Sequence, residues 1–242
     1  SDGEPGEAEP HGRALYSTPM VIIPARDEAP RIGAVVEGAR RSLPGVTVVV
    51  VENGSADDTG AEAERAGATV IRSGVGYAVA TRAGFVYARD HGADWVVTMD
   101  GDGQHPAEAL PGMVAALAHA DVVVGSRFMT HPGYAVPPLR RAANAALGAW
   151  TSLLAGQRLH DVTSGLRALR RPVVERFAAD YPSDVADGNV LVRALRLGWT
   201  VTEVPVTMRE RAGGVSQHRG TRGAWFALRM AAYAVQERLA AN

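Results

Sequence analysis

The chain has no cysteine and no lysine. Without cysteine there is no disulfide, no zinc–thiolate centre and no thiol nucleophile. Without lysine there is no P-loop and no Schiff-base chemistry; the 25 basic residues other than histidine are all arginine. Net charge is also scarce, at -1, so no overall field draws the chain to nucleic acid and no such partner is expected. No apolar run reaches the roughly 18 residues that a membrane-spanning helix needs. The first residues show no charged-then-apolar secretion pattern. The expected location is cytoplasmic, with a peripheral place on the cytosolic face of a membrane as the second option.

What is present is ordinary globular material. The 242 residues are 46% hydrophobic and 21% charged, enough for one large α/β domain or two small ones. Residues 1–17 are rich in Gly, Pro and Glu, and read as a disordered leader. From 18 to 220 the pattern is that of one domain, and 221–242 reads as a C-terminal amphipathic helix.

Strand and helix alternate through the first half. Met20 to Ile23 is a buried strand, and a helix follows with Asp27 as its expected cap and Pro30 near its start. Ile32, Val35, Val36 and Ala39 give that helix its apolar face. Val46 to Val51 is a near-continuous valine run, as suits a parallel strand covered on both faces. It exits into Glu52-Asn53-Gly54-Ser55, where Ser55 or Asp57 caps the next helix. Thr69 to Ile71, Trp95 to Met99 and Asp121 to Val124 complete five strands. A doubly wound sheet follows from this alternation, and in such sheets ligands sit at the carboxyl ends of the strands. Pro24, Glu52 and Asp100 all hold that position.

The fourth strand runs out into Asp100-Gly101-Asp102-Gly103-Gln104-His105-Pro106. Residues i and i+2 of an extended segment share a face, so the two carboxylates point together. Two acids beside an amide and an imidazole make an oxygen-rich site for Mg²⁺ or Mn²⁺. A plain Asp-Gly turn is the competing account of the same residues.

The second half is less regular. Leu139 to Ala155 is amphipathic, with Leu139, Ala143, Ala146, Leu147, Trp150 and Leu154 towards one face and Arg140, Arg141 and Asn144 towards another. Pro172 starts a short helix, and Asp187 to Leu197 forms another that ends at Gly198. Thr200 to Val206 is a strand whose Pro205 assigns it to an edge. The last helix, Ala224 to Ala240, carries Trp225, Leu228, Ala232, Val235 and Leu239 on one stripe. Both amphipathic helices suit a membrane surface. For the last one the preferred expectation is packing in the core or in a homodimer.

Together, Pro24-Ala25-Arg26-Asp27-Glu28, Glu52-Asn53-Gly54-Ser55, Asp100-Gly101-Asp102, Gly125-Ser126-Arg127, Asp161-Val162-Thr163-Ser164-Gly165 and Arg211 to Ser216 resemble family 2 glycosyltransferases. The nearest subgroup is similar to dolichyl-phosphate mannose synthases and their polyprenyl-phosphate relatives. The resemblance spans about Met20 to Ser216. It implies a GT-A, Rossmann-like mixed sheet flanked by helices, and inverting transfer from a nucleoside-diphosphate sugar with a divalent metal.

By resemblance, Pro24, Ala25, Glu28 and Glu52 line the nucleoside pocket, while Asp100, Asp102 and Gln104 surround the metal. Arg211 and Ser216 lie on a loop that closes over the diphosphate. Arg127, Arg140, Asp161 and Ser164 fall on the acceptor side. The chain departs from the family where Asp27 stands for a usual Asn, Glu52 for a usual Asp, and Gln217 for a frequent Lys.

Two acceptors stay open: a polyprenyl phosphate, or a soluble hydroxyl on a nucleoside or secondary metabolite. A hydroxyl must lose a proton and needs a base, whereas a phosphate is already ionised. Asp187 is the candidate base and Asp184 the second, with helix capping as the alternative role. A non-catalytic sugar-nucleotide binding module is the third reading; the paired acids and the loop arginine argue against it.

Overall fold

The computed structural model describes residues 18–129, 138–210 and 221–240. The expected leader, Arg211 and Ser216 lie outside the described residues, and so does the side chain of Arg140. Strand β1 (Pro19–Ala25) leads into helix α1 (Ala29–Ser42), followed by β2 (Thr47–Glu52), α2 (Thr59–Arg65), β3 (Thr69–Arg72), α3 (Tyr77–Asp90) and β4 (Trp95–Thr98). After a 3₁₀ turn come α4 (Leu110–Ala116), β5 (Val122–Ser126), α5 (Pro138–Ala155), β6 (Arg167–Arg170) and α6 (Arg171–Ala179). The chain continues through α7 (Gly188–Arg196), β7 (Val201–Pro205) and α8 (Thr221–Leu239).

The strands form one seven-stranded sheet in the order β3-β2-β1-β4-β6-β5-β7. Strands β1, β2, β3 and β4 are parallel to their neighbours in this set, whereas β6 runs antiparallel to both β4 and β5. The sequence pattern missed β6. It is four residues with Arg at both ends, so it has neither an apolar run nor an alternation to announce it. Strand β7 lies at the edge, where the missing N–H of Pro205 costs no ladder bond.

Alternate residues of β1 serve the two faces of the sheet. Met20 and Ile22 join Phe85 of α3, Phe177 of α6 and Leu191 of α7. Val21 and Ile23 join Ile32 and Val36 of α1 and Met113 of α4. The helices therefore cover both faces, and the expected apolar face of α1 is its buried one. Gly84 allows α3 to lie directly on β1, since a Cβ there would collide with Ile22.

Local expectations fail in two places. Asp27 does not cap α1: the N-cap is Glu28, and Asp27 takes a left-handed backbone at φ 56°. Its carboxylate instead accepts the Ala56 N–H at 2.8 Å, and its own N–H donates to Ser55 Oγ at 3.2 Å. The position suits Asp, whose short polar side chain can bond locally and tolerates this conformation. Neither Ser55 nor Asp57 is the N-cap of α2, which is Asp58 without a side-chain capping bond; Asp57, one residue earlier, accepts from Thr59 N at 3.0 Å and from Ala29 N at 3.1 Å. One carboxylate thus ties the starts of two helices.

The second place is α8, where the core half of the expectation for its stripe fails and the homodimer half stays open. Trp225 and Leu228 are 64% and 65% exposed and Leu239 is 79% exposed, so this stripe does not enter the core. The helix does pack, but through Met230, Ala234 and Glu237, and Arg193 of α7 donates to the Glu237 carboxylate at 2.7 Å. Helix α5 behaves alike: Gly148 and Thr151 face inwards, whereas Trp150 and Leu153 face out. Among the described residues no helix is long and apolar enough to cross a membrane.

Candidate active site

The ends of β1, β2 and β4 meet at one edge of the sheet. Asn53 joins β1 to this junction by donating its N–H to Ala25 O at 3.0 Å. Its side-chain Oδ1 accepts from Gly76 N, at the start of α3, at 2.8 Å. Gly101 lies against Ala25: a Cβ on it would sit 3.2 Å from the Ala25 Cβ. Pro24, Ala25, Glu52 and Asp100, expected to line one pocket, thus come from neighbouring strand ends. Glu28 is buried and paired with Arg31 at 2.6 Å. Glu52 accepts the Ser55 N–H and so shapes its own turn.

The acidic turn is held from several sides. His105 is not aimed outwards as a ligand; its Nδ1 accepts the Asp100 N–H at 2.9 Å. Tyr77 donates its hydroxyl to Asp100 Oδ1 at 3.1 Å. Gly165 passes so close that a Cβ there would meet the Tyr77 hydroxyl at 2.7 Å and Asp100 Oδ1 at 2.9 Å. Asp102 Oδ1 accepts the Gln104 N–H at 3.0 Å. Gln104 in turn is tied to the segment after β7, through Arg209 N to Gln104 O at 2.8 Å and Gln104 Nε2 to Arg209 O at 3.4 Å. The root of the segment carrying Arg211 is therefore fixed to the acidic turn.

Among the described residues no group of three or more acidic or histidine side chains gathers as a complete cation cage. Two carboxylates and an amide at a strand exit, with Asp100 36% exposed at its side chain, form a partial oxygen set. Such a set fits Mg²⁺ or Mn²⁺, which commonly take one or two carboxylates and complete their shell with substrate phosphates.

On the far side, Arg127 leaves β5 and grips Asp161. Its Nε and Nη2 donate to the two carboxylate oxygens at 2.6 and 2.7 Å. Ser164 is 1% exposed and donates to Gly125 O at 2.7 Å, which ties this segment to β5. The carboxylate of Asp184 is contacted by Arg229 and Tyr233 of α8.

Asp187 sits at the N-cap of α7 but makes no side-chain capping bond. Burial pushes its carboxyl up to about 6; the charge of Arg167 opposes that rise and the charge of Asp100 adds to it. Arg167 is 4% exposed, with Nη2 3.9 Å from Asp187 Oδ1 and with no hydrogen-bond partner on Nε or Nη2. Sequence reading assigned no role to Tyr77 or Arg167. Neither carries a local signal of its own; only the folded contact with Asp100 or Asp187 marks it.

Comparison with known proteins gives the family and the fold. The profile described as Glycosyl transferase family 2 matches residues 20–177. The polyprenol monophosphomannose synthase of Mycolicibacterium smegmatis is 33% identical over 233 residues, which covers 90% of this chain and 85% of that protein. The dolichyl-phosphate hexose transferase of Haloferax volcanii is 35% identical over 195 residues, covering 80% and 83%. A crystal structure of glucosyl-3-phosphoglycerate synthase from Mycobacterium tuberculosis with Mn²⁺, uridine diphosphate and phosphoglyceric acid overlays with a TM-score of 0.68. It covers 93% of this chain and 80% of that one at 18% identity, a likeness of fold.

Proposed function

The chain belongs to glycosyltransferase family 2, and on that premise we propose that it moves a sugar, with inversion, from a nucleoside diphosphate to a polyprenyl phosphate at a membrane surface. The observation that carries the lipid acceptor is the outward apolar face of α5 and α8. Trp150 and Leu153 on α5 and Trp225 and Leu228 on α8 are 41%, 74%, 64% and 65% exposed. These helices converge on the start of α7: a Cβ on Gly188, next to Asp187, would meet Thr151 of α5 and Met230 of α8 at 3.1–3.2 Å. Tryptophan and leucine presented this way suit the headgroup–acyl boundary. The names of the two relatives point to the same acceptor class. The protein is then peripheral, on the cytosolic face. A second copy of the chain is the other occupant such a face admits.

In this reading Pro24, Ala25, Glu28 and Glu52 form the nucleoside pocket. Asp100, Asp102 and Gln104 would hold Mg²⁺ or Mn²⁺, and the ion would supply positive charge at the departing diphosphate. Arg211 and Ser216 close over that diphosphate and exclude water. Arg127, Arg140, Asp161 and Ser164 shape the acceptor side. Tyr77 and His105 keep Asp100 in one orientation.

One observation favours a second reading, in which the acceptor is a soluble hydroxyl. The Asp187 carboxyl makes no capping bond and is pushed up to about 6, which suits a general base. The experiment is a partition assay with Mn²⁺, labelled GDP- and UDP-sugars, and a short polyprenyl phosphate or a lipid-free extract. The lipid reading expects label in the organic phase and turnover that survives Asp187→Asn. Label confined to water-soluble product, lost in Asp187→Asn, overturns it in favour of the hydroxyl.

A further inference from the structure

We propose that Glu203 is a positioning residue for the acceptor side of the site: its carboxylate clamps the backbone at His160 and Asp161 so that Asp161 holds the Arg127 guanidinium in one orientation. The proposal rests on the reading that Arg127 faces the acceptor.

Glu203 lies on the edge strand β7, in register with Val124 of β5. Its side chain is 6% exposed, yet no arginine pairs with it among the described residues. Instead Oε1 accepts the Asp161 N–H at 2.8 Å. Oε2 accepts the His160 N–H at 2.7 Å and faces His160 Nδ1 at 2.8 Å. A carboxylate thus takes consecutive backbone donors, which fixes the path of the chain where Asp161 begins.

Asp161 completes the relay. Its side chain is 0% exposed. Oδ2 accepts both the backbone N–H of Arg127, at 2.9 Å, and its Nε–H, at 2.6 Å. Oδ1 accepts from Nη2 at 2.7 Å, and Nη2 also donates to Thr163 Oγ1 at 2.7 Å. Backbone and fork are held by one carboxylate, so the guanidinium plane cannot rotate while Asp161 stays in place. Burying the Glu203 and Asp161 carboxylates costs more than an apolar anchor for the same segment.

The test combines an orientation readout with a kinetic one. In protein with ¹⁵N-arginine, the Arg127 Nε–H signal is identified by its loss in Arg127→Lys. Glu203→Gln retains the shape but turns an amide N–H towards a backbone N–H, so one contact of the clamp is lost. The Arg127 signal is expected to shift and to exchange faster with water. The KM for a short polyprenyl phosphate is expected to rise about tenfold, with the donor KM unchanged.

In the Arg127→Lys background, Glu203→Gln is expected to add less than about twofold, because coupled residues are non-additive. An unchanged Arg127 signal overturns the proposal, as do equal rises in both KM values or effects that multiply in the double variant. Glu203→Asp is read by the same criteria if Glu203→Gln does not fold. If the wild type labels no lipid, the acceptor reading falls, and the Arg127 signal alone decides the clamp.

Discussion

From β1 to β4 parallel neighbours and short turns bring the groups at the strand exits to one edge, where Tyr77 of α3 then orients Asp100. From β5 to α8 the corresponding groups are placed by residues distant in the chain. Pro24, Glu52 and Asp100 each follow an apolar run that ends at the same edge of the sheet. Arg127, by contrast, is set by Asp161, and Asp161 by Glu203. The proposed donor half is a scaffold in which position follows from topology. The proposed acceptor half is an assembly of buried charges and outward apolar helices, so its chemistry can change while the sheet stays the same.

The largest expected effect breaks the donor half. Asp102→Asn is predicted to lower kcat about 10²–10³-fold on any acceptor, as expected for loss of a group that stabilises developing charge. Single-turnover release of nucleoside diphosphate checks it. Retained turnover would mean that the acidic turn is only a turn.

The next concerns the border between the halves. The Asp187 carboxyl, raised from 3.8 to about 6, binds its proton more tightly folded than unfolded. Its contribution to stability is present below about pH 4 and is lost as pH rises through about 6. Asparagine stays neutral and does not lose it. The melting advantage of Asp187→Asn over the wild type is therefore predicted to grow from pH 4 to pH 7, towards about 2–3 kcal/mol. A difference that does not change with pH would deny the raised carboxyl.

The smallest effect isolates the acceptor half. Leu153→Glu combined with Trp225→Glu is predicted to weaken partition onto anionic vesicles about tenfold or more, since each change removes an apolar side chain from the contact. Donor binding should stay as it was. Sedimentation of the wild type as a dimer, with no vesicle binding, would give the face to a second copy instead.

The same contrast explains what the sequence could disclose. Valine runs and strand–helix alternation announce a parallel sheet, and the paired acids announce themselves by spacing, so β1 to β5 and the acidic turn were legible. Strand β6 was not, because an antiparallel insertion of four residues ending in Arg167 and Arg170 carries no periodic signal. The α8 stripe was visible, but periodicity gives a face and not its direction; Met230 and Ala234 took the inner side. Tyr77, Arg167 and Glu203 act through contacts across the chain, for which local sequence holds no mark.

The central claim is that Asp100 and Asp102 bring a divalent cation and a nucleoside diphosphate together at the end of β4. Thermal melting with a panel of nucleoside diphosphates, with and without Mn²⁺, tests it most directly. At a hundredfold excess over Kd, binding to the native state alone adds about 2.7 kcal/mol. The account predicts that at least one diphosphate raises Tm only when Mn²⁺ is present, and that Asp100→Asn abolishes the rise. A rise that persists in Asp100→Asn, or that needs no metal, would contradict it.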